Sequence, residues 1–344
     1  MKIRIFLLSI VVILTSSLSG VRSTNVTTPD VSQKAAVYQK IGLTDIKIIY
    51  HSPVVKNREV WGKLVPYGKV WRAGANENTI IKFTTDVMVE GKLLPAGKYG
   101  LHMIPGKKEW TIIFSKNNYS WGSYFYNKKD DALRVIVKPK SSEFNEWLTY
   151  EFTERKKDST TILLKWEKLA IPVKIAVNTN GVVLSNLRKE LNSLPFWYWR
   201  GTYGAAKYCL DNDINLEEAL KWIDKSISVQ ENFINLMLKA ELLKKTGKSA
   251  ESSSLKKYAK KIALDREITQ YAYSFWYNDK KKTEKILIDN NRKFKNWFTN
   301  KSLGTFYTYT KNKKNALKYL KIALKKAPAH HKKEITKTIE NIKK

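Results

Sequence analysis

The chain has 344 residues, 43% of them hydrophobic, and carries a formal charge of +32. That apolar content excludes a disordered chain, and the length predicts two domains after a leader. The single cysteine, Cys209, excludes an internal disulfide, and its apolar surroundings (AlaAlaLysTyrCysLeu) read as those of a buried small hydrophobe.

In chain order, Lys2 and Arg4 precede an apolar run from Ile5 to Leu14, followed by Ser16, Ser17, Ser19 and Gly20. Residues 1–20 therefore read as a cleavable secretory signal, the alternative being an uncleaved anchor, for which the run is short against a bilayer of about 30 Å. No cysteine lies near the expected cleavage region, so no lipid anchor is expected there. The chain is expected in the periplasm or cell envelope.

Short strands dominate residues 33–177. Val37, Gln39 and Ile41 alternate, as do Ile46, Ile48 and Tyr50, with Gly42 and Thr44 between them. Further strands are expected at Thr79–Thr84, Val87–Val89, Lys98–Ile104, Trp110–Ser115, Leu133–Lys138, Trp147–Phe152, Thr161–Glu167 and Val173–Val177, with turns at GluGlyLys 90–92 and ProAlaGlyLys 95–98. No room for crossover helices separates them. An all-β, sandwich-like antiparallel domain follows.

The same region carries a resemblance. IleGlyLeuThrAspIleLysIleIleTyrHisSerPro (41–53), Arg58–Trp61–Gly62, LeuValProTyrGlyLysValTrpArgAlaGlyAlaAsnGluAsn (64–78), LeuProAlaGlyLysTyrGlyLeuHisMetIlePro (94–105), Trp110 and LeuArgValIleValLysPro (133–139) stand in the order seen in the bacterial family catalogued as domain of unknown function 2911. Glycine is usual in that family where Asn57 stands, and threonine is common where Ala73 stands. The resemblance implies an exported, all-β module and carries no established activity.

From Val182 the spacing becomes helical. Leu303, Gly304, Tyr307, Ala316, Leu320, Ala323 and Pro328 fall in the order of a tetratricopeptide repeat, whose small residues let paired helices approach. Looser units are Ala240, Leu243, Gly247, Ser252 and Ala259, and Ala206, Cys209, Ala219, Trp222 and Ser226. The unit over Tyr271–Asn291 lacks its small residues. Residues 185–344 thus resemble a degenerate tetratricopeptide array, expected to dock a protein partner on its concave face. Tyr271, Tyr273, Phe275, Trp276 and Tyr277 crowd one expected first helix, and some should be exposed. PheTrpTyrTrp 196–199 is expected to pack on the array.

The charge does not argue for nucleic acid: lysines are dispersed and outnumber arginines, whereas planar phosphate recognition favours arginine. An anionic membrane surface is the more available counter-charge, for weak contact. The sequence has no P-loop, GxSxG elbow or HExxH. No cofactor or metal is expected.

Two site readings remain. Trp61, Trp71, Arg72, Asn76 and Glu77 supply aromatic faces, a guanidinium fork, an amide and a carboxylate, the groups that bind a sugar or another polar ligand. The structural alternative is an Arg72–Glu77 pair with an Asn76 turn. The second reading takes His51, His102 and Glu77 as the acid–base set of an envelope hydrolase, which requires strands to bring both histidines to one carboxylate. Binding is the primary expectation: a binding or scaffold protein of the envelope, its β domain taking a polar ligand and its repeats a protein.

Overall fold

Alternation of buried and exposed side chains sets the strands. The computed structural model describes residues 28–343; the signal-like run, residues 1–20, lies outside the described residues. β1 (Gln33–Ile41) and β2 (Thr44–Ser52) form a hairpin through Gly42 and Leu43, with Ile41 paired to Thr44. Gly42 takes φ +55°, which a two-residue turn requires and glycine adopts without strain. β3 (Thr79–Phe83), β4 (Val87–Val89), β5 (Lys92–Leu94), β6 (Gly97–Ile104), β7 (Trp110–Ser115), β8 (Asp131–Val137), β9 (Lys140–Thr153) and β10 (Ser159–Ala176) follow. Glu90 and Gly91, both at positive φ, turn β4 into β5.

Two antiparallel sheets result, ordered β1-β2-β3-β6-β7-β8 and β5-β4-β10-β9. Between them Ile81, Leu101, Met103, Ile112 and Phe114 of the first sheet face Tyr150, Ile162, Leu164, Ile171 and Val173 of the second. These side chains form the core, each Leu or Ile contributing about 1.5–3 kcal/mol on burial.

The strands expected at Thr161–Glu167 and Val173–Val177 are one strand, β10. Pro172 does not break it, because it lies past the last pairing with β9, at Ala170, and before the first with β4, at Ile175. A missing N–H there forfeits no ladder bond. Glu167, at φ +52°, marks a bulge between register shifts.

The described chain divides into two compact units between Thr179 and Asn180. The first helix, α1 (Thr179–Glu190), starts inside the AsnThrAsnGly stretch 178–181. Four helical hairpins follow: α2 (Trp199–Asn212) with α3 (Leu216–Val229), α4 (Phe233–Lys245) with α5 (Ser249–Ile262), α6 (Asp265–Tyr273) with α7 (Lys280–Phe294), and α8 (Trp297–Tyr309) with α9 (Lys313–Lys326). α10 (Ala329–Lys343) ends the series. Asn232, Asp279, Asn296 and Asn312 cap α4, α7, α8 and α9 by accepting early backbone N–H bonds.

The small residues of the repeats act as expected. A Cβ on Gly304 would fall 2.6 Å from Leu320 Cγ, so the glycine permits the close crossing of α8 and α9. Ser252 Oγ donates to the Ala240 carbonyl at 2.7 Å, joining α5 to α4. The aromatic run is different. Tyr271 and Tyr273 lie on α6, but Phe275, Trp276 and Tyr277 lie in the turn after it; only Tyr277, 92% exposed, stands clear of the protein. Of PheTrpTyrTrp 196–199, Trp197 and Tyr198 are largely exposed, although Lys225 of α3 lies over the Phe196 and Trp197 rings. No helix among the described residues is long and apolar enough to cross a membrane.

Candidate functional site

The connection from β2 to β3 carries most of the residues singled out from sequence. It has no regular element, yet its backbone is fixed at several points. Beyond Leu101, where β3 stops pairing with β6, the connection takes over: Trp71 and Met103 exchange N–H···O bonds of 2.8 Å, and Gly68 N–H donates to the Pro105 carbonyl. Next comes Ala73, buried and at φ +53°. Its carbonyl accepts from Thr79 Oγ at 3.0 Å and from Tyr150 Oη at 2.8 Å. A left-handed alanine costs about 1–2 kcal/mol, which these two buried bonds offset. Arg72 is therefore held between two anchored neighbours.

Lys56, Asn57, Ala73 and Asn76 all adopt positive φ without being glycine. Asn57 stands where the resembled family carries glycine, and φ +56° explains why glycine suits the position. Four such residues in one connection are unusual, and non-glycine strain of this kind concentrates at ligand and catalytic sites.

Trp71, Arg72 and Asn76 line one cavity of about 350 Å³, with Lys56, Arg58 and Trp166 also in its wall. Trp71 stacks on Trp166 at 5.9 Å, and Trp61 meets Trp71, Trp110 and Trp166 edge-on at 4.9–5.9 Å. Trp110 and Trp166 are fully buried, so the four indoles pack as one rigid aromatic cluster, of which Trp71 and Trp166 border the cavity. The Trp71 indole N–H donates to the Gly74 carbonyl, whereas those of Trp61, Trp110 and Trp166 have no hydrogen-bond partner among the described residues.

Arg72 borders the cavity beside that cluster. Its Nε is buried and has no hydrogen-bond partner among the described residues. Burial pulls its pKa down from the ordinary arginine value, and no carboxylate offsets that. The expected Arg72–Glu77 pair is absent: Glu77 instead lies 3.2 Å from His51 Nδ1, and Asp30 lies 3.8 Å from His51 Nε2. The physical reason is the backbone at Asn76. Its left-handed φ turns the chain, and the bridge of Glu77 to Trp121 sends Glu77 towards β2.

A second loop, between β7 and β8, closes on this connection. Gly122 N–H donates to the Asn76 carbonyl, and Asn78 N–H to the Ser120 carbonyl. Gly122 sits at φ +59°, and a Cβ there would fall 3.0 Å from Arg72 Nη1. Glycine thus lets the guanidinium lie against the loop backbone. Tyr119, Trp121, Tyr124 and Phe125 of the same loop are exposed. Sequence reading passed over this loop; the signal was available in the aromatic-rich AsnAsnTyrSerTrpGlySerTyrPheTyrAsn 117–127.

His102 belongs to a separate buried network. Asn78 Oδ1 accepts from Ser120 N–H and Asn78 Nδ2 donates to the Gly122 carbonyl, which fixes the amide orientation. The remaining amide proton faces His102 Nε2 at 3.5 Å, so Nε2 accepts and Nδ1–H donates to Ser123 Oγ at 2.9 Å. That tautomer cannot deprotonate Ser123. Burial pushes the His102 pKa down to about 4, partly opposed by Asp131. Asp131 in turn holds Arg134 and the Tyr126 hydroxyl. His51 and His102 therefore engage different groups and share no carboxylate. Among the described residues, no set of three His, Cys, Asp or Glu side chains could hold a metal ion. Burial raises the Cys209 thiol to about 11, unlike the lowered value of a reactive thiolate.

Two antiparallel sheets carrying an irregular, aromatic, cation-lined connection, followed by helical repeats, define a two-unit protein with its distinctive site in the first unit. Residues 32–175, which make up nearly all of that unit, match the family described as Protein of unknown function (DUF2911). No curated protein matches the chain.

Proposed function

We propose that this is an exported binding protein of the cell envelope, whose β domain captures a small polar ligand and whose helical repeats dock a protein. The observation that carries the ligand half is the cavity wall: Arg72 unpaired beside Trp71 and Trp166, with the Asn76 amide at its margin. An aromatic wall with a few fixed polar groups is the usual composition of a small-ligand site. The signal-like residues 1–20 support export.

For the repeats, support comes from a groove of about 570 Å³ between the α4/α5 and α6/α7 hairpins. Phe233, Met237, Ile268 and Tyr271 line it with Lys256, Lys260, Lys282, Lys285 and Lys293, against the two carboxylates Glu241 and Asp289. Apolar side chains with an excess of lysines suit an acidic amphipathic segment. The exposed aromatics 119–125 near Lys116, Lys128 and Lys129 support weak contact with an anionic membrane surface. The rival hydrolase reading loses support because His51 and His102 do not converge on Glu77.

The ligand half is tested by thermal-shift measurement of the exported chain against neutral and charged mono- and disaccharides. A rise in midpoint that Asn76→Gly removes is the expected result, since glycine keeps the left-handed turn and deletes only the amide. No shift with any of them would sink the reading.

A further inference from the structure

We propose that the cavity of the β domain binds an oxyanion, the carboxylate, sulfate or phosphate of a small ring-bearing ligand, on Arg72, with the ring against Trp71. This rests on the ligand-binding reading above and specifies the chemistry of that ligand.

Charge is the first ground. Lys56, Arg58 and Arg72 line the cavity, and no carboxylate does among the described residues. The neighbouring acids are engaged elsewhere: Glu77 with His51, Asp131 with Arg134, and Glu146 with the Lys56 backbone N–H. A net positive, partly desolvated hollow favours an anion.

The second ground separates the three cations. Arg58 donates from Nε to the Val55 carbonyl and from Nη2 to that of Val54, so it braces the connection. Lys56 is exposed and can swing towards a bound charge. Arg72 differs: its Nε is buried and has no hydrogen-bond partner among the described residues. A guanidinium offers five donors in a planar fork, which matches two oxygens of one oxyanion side by side. Leaving a buried donor unmet costs stability, and a bound oxyanion removes that cost.

Pre-organisation is the third ground. Trp71 on one side and the doubly bonded Ala73 carbonyl on the other fix the Arg72 backbone, and Gly122 lets the guanidinium seat against the second loop. A cation so held gives up little freedom on binding.

The test is calorimetry on the exported chain with glucuronate, glucose 6-phosphate and glucose. These share one ring and differ in charge. Expected is at least tenfold tighter binding of one or both charged sugars than of glucose, with the preference lost in Arg72→Gln and partly restored in Arg72→Lys. Lys56→Gln, at an exposed position that cannot unfold the domain, should weaken the charged sugars by about twofold to fivefold, as befits a partly screened charge. The order of glucuronate and glucose 6-phosphate then separates a carboxylate ligand from a phosphate one. Equal binding of glucose and both charged sugars, unchanged in Arg72→Gln, would overturn the oxyanion proposal and leave the polar-ligand reading standing. Binding of none of the three would overturn both.

Discussion

Two cation-lined hollows, one in each unit, treat their charges differently. In the groove of the helical repeats, Lys256 pairs with Glu241 at 2.7 Å, Lys293 donates to the Lys260 and Ala263 carbonyls, and Lys282 stands 3.6 Å over the Phe275 ring. In the cavity of the β domain, Arg58 is likewise occupied by carbonyls, but Arg72 is not. A cation answered by its own fold contributes to that fold. One left unanswered in a fixed position is available to something else. The difference lies in the neighbours and not in the composition, since both units are rich in lysine and arginine.

The largest effect expected to sharpen this contrast is a response to acid confined to the β domain. His102 stays neutral when folded down to about pH 4, below its ordinary 6.5, because it is buried among Tyr126, Asp131 and Arg134. Above pH 6.5 it has no effect on stability. As pH falls from 6.5 to about 4 the unfolded chain takes up a proton that the folded chain refuses, so stability falls, by about 3 kcal/mol in total. Thermal melts of wild type and His102→Gln across that range should show a steep decline in the first and a shallower one in the second. Parallel declines would mean that other groups govern acid sensitivity.

A smaller effect is expected from Glu241→Gln in the helical groove. The pair with Lys256 is more than a quarter exposed on both sides, so its loss should cost about 0.5 kcal/mol or less in denaturant titration. A cost above about 1 kcal/mol would show that the groove relies on its pairs more than surface screening allows.

The smallest expected change is the most telling. Arg72→Gln should leave the thermal midpoint nearly where it was, within about 0.5 kcal/mol, because among the described residues the buried Nε makes no hydrogen bond that the change could break. A loss of about 1–3 kcal/mol would place Arg72 among the structural cations and end the contrast between the two hollows.

Much of the β domain was legible because alternation reports directly on burial: Ile46, Ile48 and Tyr50 do face the core. The Glu90–Gly91 turn and the Gly304–Leu320 crossing were legible too, since each is set by residues close in the sequence or by a fixed repeat. β10 reads from sequence as two strands, Thr161–Glu167 and Val173–Val177, and only the identity of the neighbouring strands shows that the chain between them, with Pro172, continues one strand. The sequence leaves Glu77 open to a ligand, to Arg72 or to His51 and His102, and the turn at Asn76 with the bridge to Trp121 places it beside His51. The unpaired state of Arg72 could not be read at all. It depends on where Glu77, Glu146 and Asp131 finish, and those positions follow from contacts distant along the chain.

The Tyr150 hydroxyl that fixes Ala73 reaches it across 77 residues, and the Tyr150 backbone meets Tyr50 across 100. In the repeats, Ser252 finds Ala240 only 12 residues away. During synthesis, then, the Arg72 connection can meet β6 early, but the bond that Tyr150 gives to Ala73 waits until β9 has been made. Loop closure over such separations makes strand assembly slow, in the range of about milliseconds to seconds, where helical hairpins need about microseconds to milliseconds. The wall of the β-domain cavity is thus completed only with β9 and β10, although most of its residues are made much earlier.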